Sequence, residues 1–532
     1  MKASVSLFLW IASAILASAG TIQPPDFAWV SGSGGLGYDG TRGMAVTAAG
    51  DVFATGQIQS PAQFGTNTLS LGDGLFGDVF LARYDHSGKV VWVRGAGGAG
   101  EDYGTAVAVN PATNAFVTGA FRLTASFSGT DVVSAGSEDV FLAMYSGTGS
   151  MLWVRCGGGT GHDFGTALAA RSDGGCYLSG DFQSSAFFQG TNLNSAGIYD
   201  VFIANYDSSG NLLWIRGAGG SGEDRSTGVT LDGAGNAILA GHFASPTIAF
   251  GGVTLTNQNP PFMDLFLVKY DTAGNVVWAR RAGGSDVDIS AGVVTDASGN
   301  AFLTGTFHST NFMLGASTIA NRGEGDVFLA KFDTNGNAIW ARSAGSSGAD
   351  GAAGVTVDEA GNCMICGAFS GIAEFGSVSI TNAGATGTLD MFLAKYDAAG
   401  NGLWAVGVGG PQVETASVVR SDASGSAFLG GTFSSDVLQV GGFAVTNHGN
   451  ADSLVAKLNL DLPQLTILSS GPSIAVSWPQ YQAGYLLEKS GALGSASVWS
   501  LVTNSPPATV GSQLVVSIPV GTSNIFFRLR KP

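Results

Sequence analysis

Carboxylates are the residues of this 532-residue chain whose spacing could do chemistry. Seven aspartates, Asp78, Asp139, Asp200, Asp264, Asp326, Asp390 and Asp452, open near-identical stretches such as DLFLVKYDTAGNVVWARRAGG from Asp264. A second acid follows 24 residues later at Asp102, Asp163, Asp224, Asp288, Asp350 and Glu414, and Asp39 completes the series if the chain closes on itself. An outer hairpin returns the chain to the end where it started, so this spacing predicts one rim lined by up to fourteen carboxylates. Clustered oxygens are what calcium takes, which makes calcium the one cofactor this pattern could hold. Calcium loops, however, concentrate three or more acids within about a dozen residues, and one or two stand at each crossover here. The favoured account is that each acid accepts N–H groups of a glycine loop and fastens one unit to the next. No catalytic, cofactor-binding or metal-binding residue is assigned.

Other candidate chemistry dissolves on its context. The G-x-G-x-x-G spellings at Gly32–Gly37, Gly95–Gly100 and Gly217–Gly222 lead into strands, so they lack the helix a dinucleotide fingerprint requires. Cys363 and Cys366 lie three apart inside the strand-like NCMICGAF and face opposite sides of it, which suits neither a redox pair nor zinc. The four cysteines are too few for a disulfide scaffold of this size. The five histidines share no repeat position and form no H-E-x-x-H, so they read as solvated loop residues. No G-x-S-x-G elbow is present.

The elements that carry these residues repeat with a period near 62. Trp29, Trp92, Trp153, Trp214, Trp278, Trp340 and Trp404 recur with the aspartates, and from Asp78 to Trp92 and in the next five copies the offset is 14 residues, so this hairpin tolerates no insertion. Each unit shows four strand-like runs and no sustained helical period, which predicts an all-β fold. Both alternating faces of DVFLARY from Asp78 are apolar, so its sheet must be covered on both sides, as a propeller blade is by its neighbours. The array begins with a lone Trp strand at Asp26 and ends at Asp461 without one. The two pieces match, which predicts a seven-bladed β-propeller over residues 26–461, closed by its N-terminal strand. From Pro463 the pattern stops, and about six short runs predict a small C-terminal β-sandwich over 463–532 with Trp478, Tyr485, Trp499 and Phe527 in its core.

The units resemble the bacterial SBBP repeat, a seven-bladed propeller repeat, on VTDASGNAFLTGTF from Val294 and DVFLAKFDTNGNAIWARSAGS from Asp326, over about Trp29 to Leu460. The resemblance implies an exported or cell-surface propeller and carries no active-site motif. The C-terminal segment is similar to fibronectin-III-like modules of exported bacterial proteins. A second resemblance links YDTAGNVVW from Tyr270 to the Trp-docking motif of pyrroloquinoline quinone dehydrogenase propellers, the alternative enzyme reading. Those enzymes typically carry adjacent cysteines, which this chain lacks.

Composition bounds the partners. A net charge of −16 without a basic stripe disfavours nucleic acid. Residues 1–19 read as a signal peptide, with an apolar run from Val5 to Leu16 and small residues Ala17, Ser18 and Ala19 at the cleavage site. No later stretch could span a bilayer. The expectation is a monomeric, secreted or cell-surface chain, with the periplasm as the alternative, that is not an enzyme and serves as a scaffold for an extracellular protein or polysaccharide. Variable loops such as Ser309–Gly325 and Ser370–Leu389 are the expected contact points.

Overall fold

The computed structural model describes residues 24–59, 61–71, 76–385, 387–459, 465–470, 473–479, 485–491, 498–503, 506–510, 513–519 and 525–530. The expected leader at 1–19 lies outside them. The chain divides into two compact units, of which one is Pro24–Asp461 and the other has its described residues within Leu462–Pro532. The described residues hold strands and no helix, and the fold is all-β and propeller-like.

The set that begins at Asp224 shows why these residues make sheets. Strands Asp224–Leu231, Ala237–Phe243, Asp264–Tyr270 and Val276–Ala282 pair antiparallel in that order. Every residue of the third strand, DLFLVKY, is buried, so both faces are covered. Its turns are D-x-x-G-N loops in which Asp232 Oδ1 accepts the N–H groups of Ala234 and Asn236 at 2.9 and 3.0 Å. Asp271 Oδ1 does the same for Ala273 and Asn275 at 3.0 and 2.8 Å. Gly235 and Gly274 close these turns at φ +81° and +80°, where a Cβ is strained.

The same order starts from Gly40–Val46, Tyr103–Val109, Phe164–Ala170, Asp288–Thr295, Gly351–Val357 and Glu414–Ser421. First strands of successive sets pack side by side, and Gly40–Val46 also packs against Glu414–Ser421. In the Glu414 set the outer place beside Asp452–Leu458 is taken by Phe27–Gly35 from the start of the chain, with Val30 opposite Ala456 and Ser33 opposite Ser453. Each sheet keeps open edges and none closes into a barrel.

A latch joins each set to the next. Trp278 Nε1 donates to Thr334 O at 3.1 Å, in the following set's turn, and the Arg280 guanidinium lies 5.6 Å above the indole while its Nε donates to Gly336 O at 3.1 Å. The same Trp-to-turn bond is made by Trp29, Trp92, Trp153, Trp214 and Trp340. Trp92, Trp153, Trp214, Trp278 and Trp340 carry an Arg two residues on, where Trp29 has Ser31 and Trp404 has Val406.

The segments expected as variable loops are ordered otherwise. Asn311–Leu314 pairs with Ser317–Ala320, and Ile372–Phe375 with Val378–Thr381. Equivalent hairpins stand in the other sets, and alternate residues point inward: Phe250 lies 4.9 Å from Phe266 and Phe375 4.8 Å from Phe392. Bridges from Met313 to Gly283 and from Glu374 to Gly345 tie two hairpins to the preceding outer strand. These segments therefore cover sheets, which corrects their reading as free loops.

In the C-terminal unit, Thr466–Ser470, Ser473–Pro479, Gln513–Pro519 and Ala508–Val510 form one sheet, and Ser500–Leu501, Leu486–Ser490 and Phe526–Arg530 another. Val476, Trp478, Leu487, Leu514, Val516 and Ile518 form its core, with Phe527 packed against it. Trp499 instead stays partly exposed beneath the Arg528 guanidinium, 4.4 Å from its ring, and Tyr485 is also partly exposed.

Candidate functional site

The fourteen repeat carboxylates are no more than 4% exposed, so they do not form an open acidic surface. Each second acid binds backbone. Asp163 accepts Gly159 N–H at 2.7 Å and Gln183 N–H at 3.1 Å, and Glu414 accepts Gly410 and Ser435 N–H at 2.8 and 3.0 Å. The crossover loop is thereby tied to the end of the following second strand. A glycine separates opening and second acid: a Cβ on Gly158 would meet Asp139 Oδ1 at 2.8 Å and Asp163 Oδ2 at 2.9 Å. Burial pushes Asp39, Asp139, Asp224, Asp288 and Asp326 up to about 6 and Asp102 and Asp163 up to about 7. At Asp102 and Asp163 the partner carboxylate adds to the rise. Among the described residues no three His, Cys, Asp or Glu side chains converge as they would around a metal ion.

The starts of the first strands carry a feature that breaks the repeat. One residue after each second acid stand Gly40, Tyr103, Phe164, Arg225, Ile289, Gly351 and Thr415, so the second to fourth, Tyr103, Phe164 and Arg225, form an arc of aromatic and charged groups. The Arg225 guanidinium lies 3.3 Å from the Tyr199 ring centroid and 5.7 Å from Phe164, and its Nε donates to Glu223 Oε1 at 2.9 Å. Buried Asp181 lies 3.6 Å from Arg225 and accepts Ser226 N–H at 2.6 Å, yet burial still pushes it up to about 7. His162 stacks 6.2 Å from Phe164 and bonds Glu138 through Nδ1. Arg42 covers Tyr103 at 4.7 Å, and Nη2 donates to Gln57 Oε1 at 2.8 Å. The first strands Tyr103–Val109 and Phe164–Ala170 pack side by side, which joins the two ends of the arc. Tyr103, Phe164, Tyr199 and Arg225 are half-buried, presenting ring faces beside matched donors and acceptors.

Sequence reasoning missed this arc because its members lie about sixty residues apart on different strands; aligning the units on their second acids exposes it. One further reading changes. His242 is in the strand Ala237–Phe243 and buried, its imidazole held down to about 4 by desolvation and then by Arg225, so it is not a solvated loop residue, while His162 stands in the crossover loop before Phe164 with its side chain 40% exposed. Cys363 and Cys366 are buried free thiols on Cys363–Phe369, and desolvation pushes Cys366 up to about 12.

No family model matches the chain. It is 24% identical over 336 residues to an uncharacterized WD repeat-containing protein of Acanthamoeba polyphaga mimivirus, covering 50% of this chain and 24% of that protein. It is 26% identical over 320 residues to the regulatory protein FlaEY of Caulobacter vibrioides, covering 56% of this chain and 32% of that protein. The chain thus spans about a quarter to a third of these curated relatives. Two crystal structures of puromycin hydrolase align with 86% and 83% of this chain and 62% and 58% of theirs, at 12% identity and a TM-score of 0.36. The expectation that the chain is not an enzyme is corrected. Its premise, near-uniform units, fails at the arc.

Proposed function

We propose that Pro24–Asp461 is a seven-bladed propeller of the SBBP-repeat type, closed by its first strand and exported from the cell, which presents one arc of its rim to an extracellular partner. The pairing of Phe27–Gly35 with Asp452–Leu458 and the side-by-side first strands support closure. The leader-like residues 1–19 support export, to the cell surface or medium, and Leu462–Pro532 is a fibronectin-III-like appendage to a monomer. The observation that carries the binding role is the arc of Tyr103, Phe164, Tyr199 and Arg225, because rings and arginine at half-buried positions are the usual anchors of recognition. A rigid ring is a scaffold on which such residues can vary while the blades stay intact.

The mature chain applied to a glycan and protein array tests this. Tyr103→Ala and Tyr199→Ala should abolish the signal at an unchanged melting temperature, while Ile289→Ala and Thr415→Ala, at the equivalent places outside the arc, should keep it. Binding that survives the tyrosine variants, or is lost with the controls, would overturn the assignment of the arc.

A further inference from the structure

Two arginines of Pro24–Asp461 stand apart from the rest. Every other arginine of this unit either lies within 4 Å of a carboxylate, as Arg83, Arg122, Arg171, Arg225, Arg281 and Arg322 do, or belongs to a Trp latch. Among the described residues, Arg42 and Arg420 have neither partner. Arg42 sits where the first strand bulges against the second; at the corresponding bulges stand Thr105, Thr166, Thr227, Ala291, Ala353 and Ser417. It is exposed, steadied by the Gln57 amide and laid over Tyr103. Arg420 lies on Glu414–Ser421, the first strand that packs against Gly40–Val46, with Nη1 donating to Val419 O at 2.8 Å. Arg420 stands six residues past Glu414, toward the far end of its strand, whereas Arg42 stands three residues past Asp39, on the side of Tyr103. Arg42, exposed and without a counter-ion, is therefore the cation open to an arriving anion.

We infer that the arc and Arg42 form one site for an oligosaccharide carrying a carboxylate, which Arg42 holds while the sugar rings lie against Tyr103, Phe164 and Tyr199. This inference rests on the reading of the arc as the binding face. A guanidinium meets a carboxylate through paired N–H donors, which is the geometry Arg42 leaves open. The ligand is sparsely charged. A single unpaired cation in a chain of net charge −16 suits an isolated carboxylate, whereas a dense polyanion would be repelled. A sugar fits better than a peptide because the arc offers ring faces edged by donors and acceptors from Gln57, Glu101, Glu138, His162 and Glu223, which match hydroxyl groups and supply no apolar cleft for side-chain anchors.

Titration calorimetry of the full mature chain with three probes tests this: an oligogalacturonate, the same oligosaccharide with its carboxyl groups reduced to alcohols, and an acidic peptide of equal charge. The oligogalacturonate should bind, the reduced sugar should bind at least about tenfold more weakly, and Arg42→Met should erase that difference at an unchanged melting temperature. Tyr103→Leu should weaken both sugars. Equal binding of the two sugars, or no sugar binding at all, would overturn the inference. Peptide binding lost in Arg42→Met or Tyr103→Leu would overturn it while leaving the arc as the binding face. Sugar binding indifferent to both variants would end the arc's role as well.

Discussion

The latch makes a prediction that separates two costs of one substitution. Gly336 and Gly361 close turns of the same D-x-x-G-N kind at φ +77° and +80°, but their surroundings differ. A Cβ on Gly361 would meet Ala398 Cβ at 3.6 Å, an ordinary contact, so Gly361→Ala should cost only the left-handed backbone, about 1–2 kcal/mol, eased by a stiffer unfolded chain. A Cβ on Gly336 would lie 2.9 Å from Cδ2 and Cε3 of Trp278. Carbon atoms rest at about 3.5 Å or more, so the indole must retreat by roughly 0.6 Å. Trp278 has little room to do so, being 7% exposed, bonded to Thr334 O and roofed by Arg280. Overpacking of this kind adds about 1–3 kcal/mol, and the strained hydrogen bond about 1 more. Urea unfolding followed by tryptophan fluorescence should therefore show Gly336→Ala less stable than Gly361→Ala by about 2 kcal/mol or more. Equal losses would refute the latch as a close contact between sets.

Stability should also respond to pH through the buried carboxyls. Asp39, Asp139, Asp224, Asp288 and Asp326, near 6, and Asp102 and Asp163, near 7, hold protons that the unfolded chain releases near 4, so stability is lost as pH rises through about 6 to 7. Melting at pH 5.5 should thus exceed melting at pH 8, His242 alone working the other way, and Asp163→Asn should flatten the difference. The hairpins should be structural: Phe250→Ala, at a fully buried ring, should cost about 3–5 kcal/mol, while Ala249→Ser, exposed beside it, should stay within about 0.5 kcal/mol by the same unfolding assay.

Much of the fold was legible because the repeat leaves no slack in its key hairpin. Asp78 and Trp92 hold a fixed offset, and in the structure Arg83 stands opposite Trp92, with a register shift directly after it between Arg83 and Tyr84. The extra hairpin carried inside each unit was less visible. TIAF and VTLT around Gly251 alternate as strands do, yet four-residue runs sit at the lower limit of a recognisable strand. Charge and position placed the carboxylates on one rim but not their burial, since the N–H groups they accept, such as Gln183 for Asp163, come from residues twenty positions on. The arc escaped altogether: Glu138, His162, Tyr199 and Arg225 look like ordinary loop and strand-end variation until the sheets bring them together.

Closure by the first strand is the claim on which rim, axis and arc all depend. Phe27 and Trp29 are buried by that strand, and Trp29 stacks 6.4 Å from Tyr84 while its Nε1 bonds His86 O. Removing residues 24–35 should strip the last set of its outer strand and lower the melting temperature sharply, and a synthetic peptide of those residues, added in trans, should restore it in proportion to its concentration. A truncated chain that melts like the parent, or that ignores the peptide, would contradict the ring.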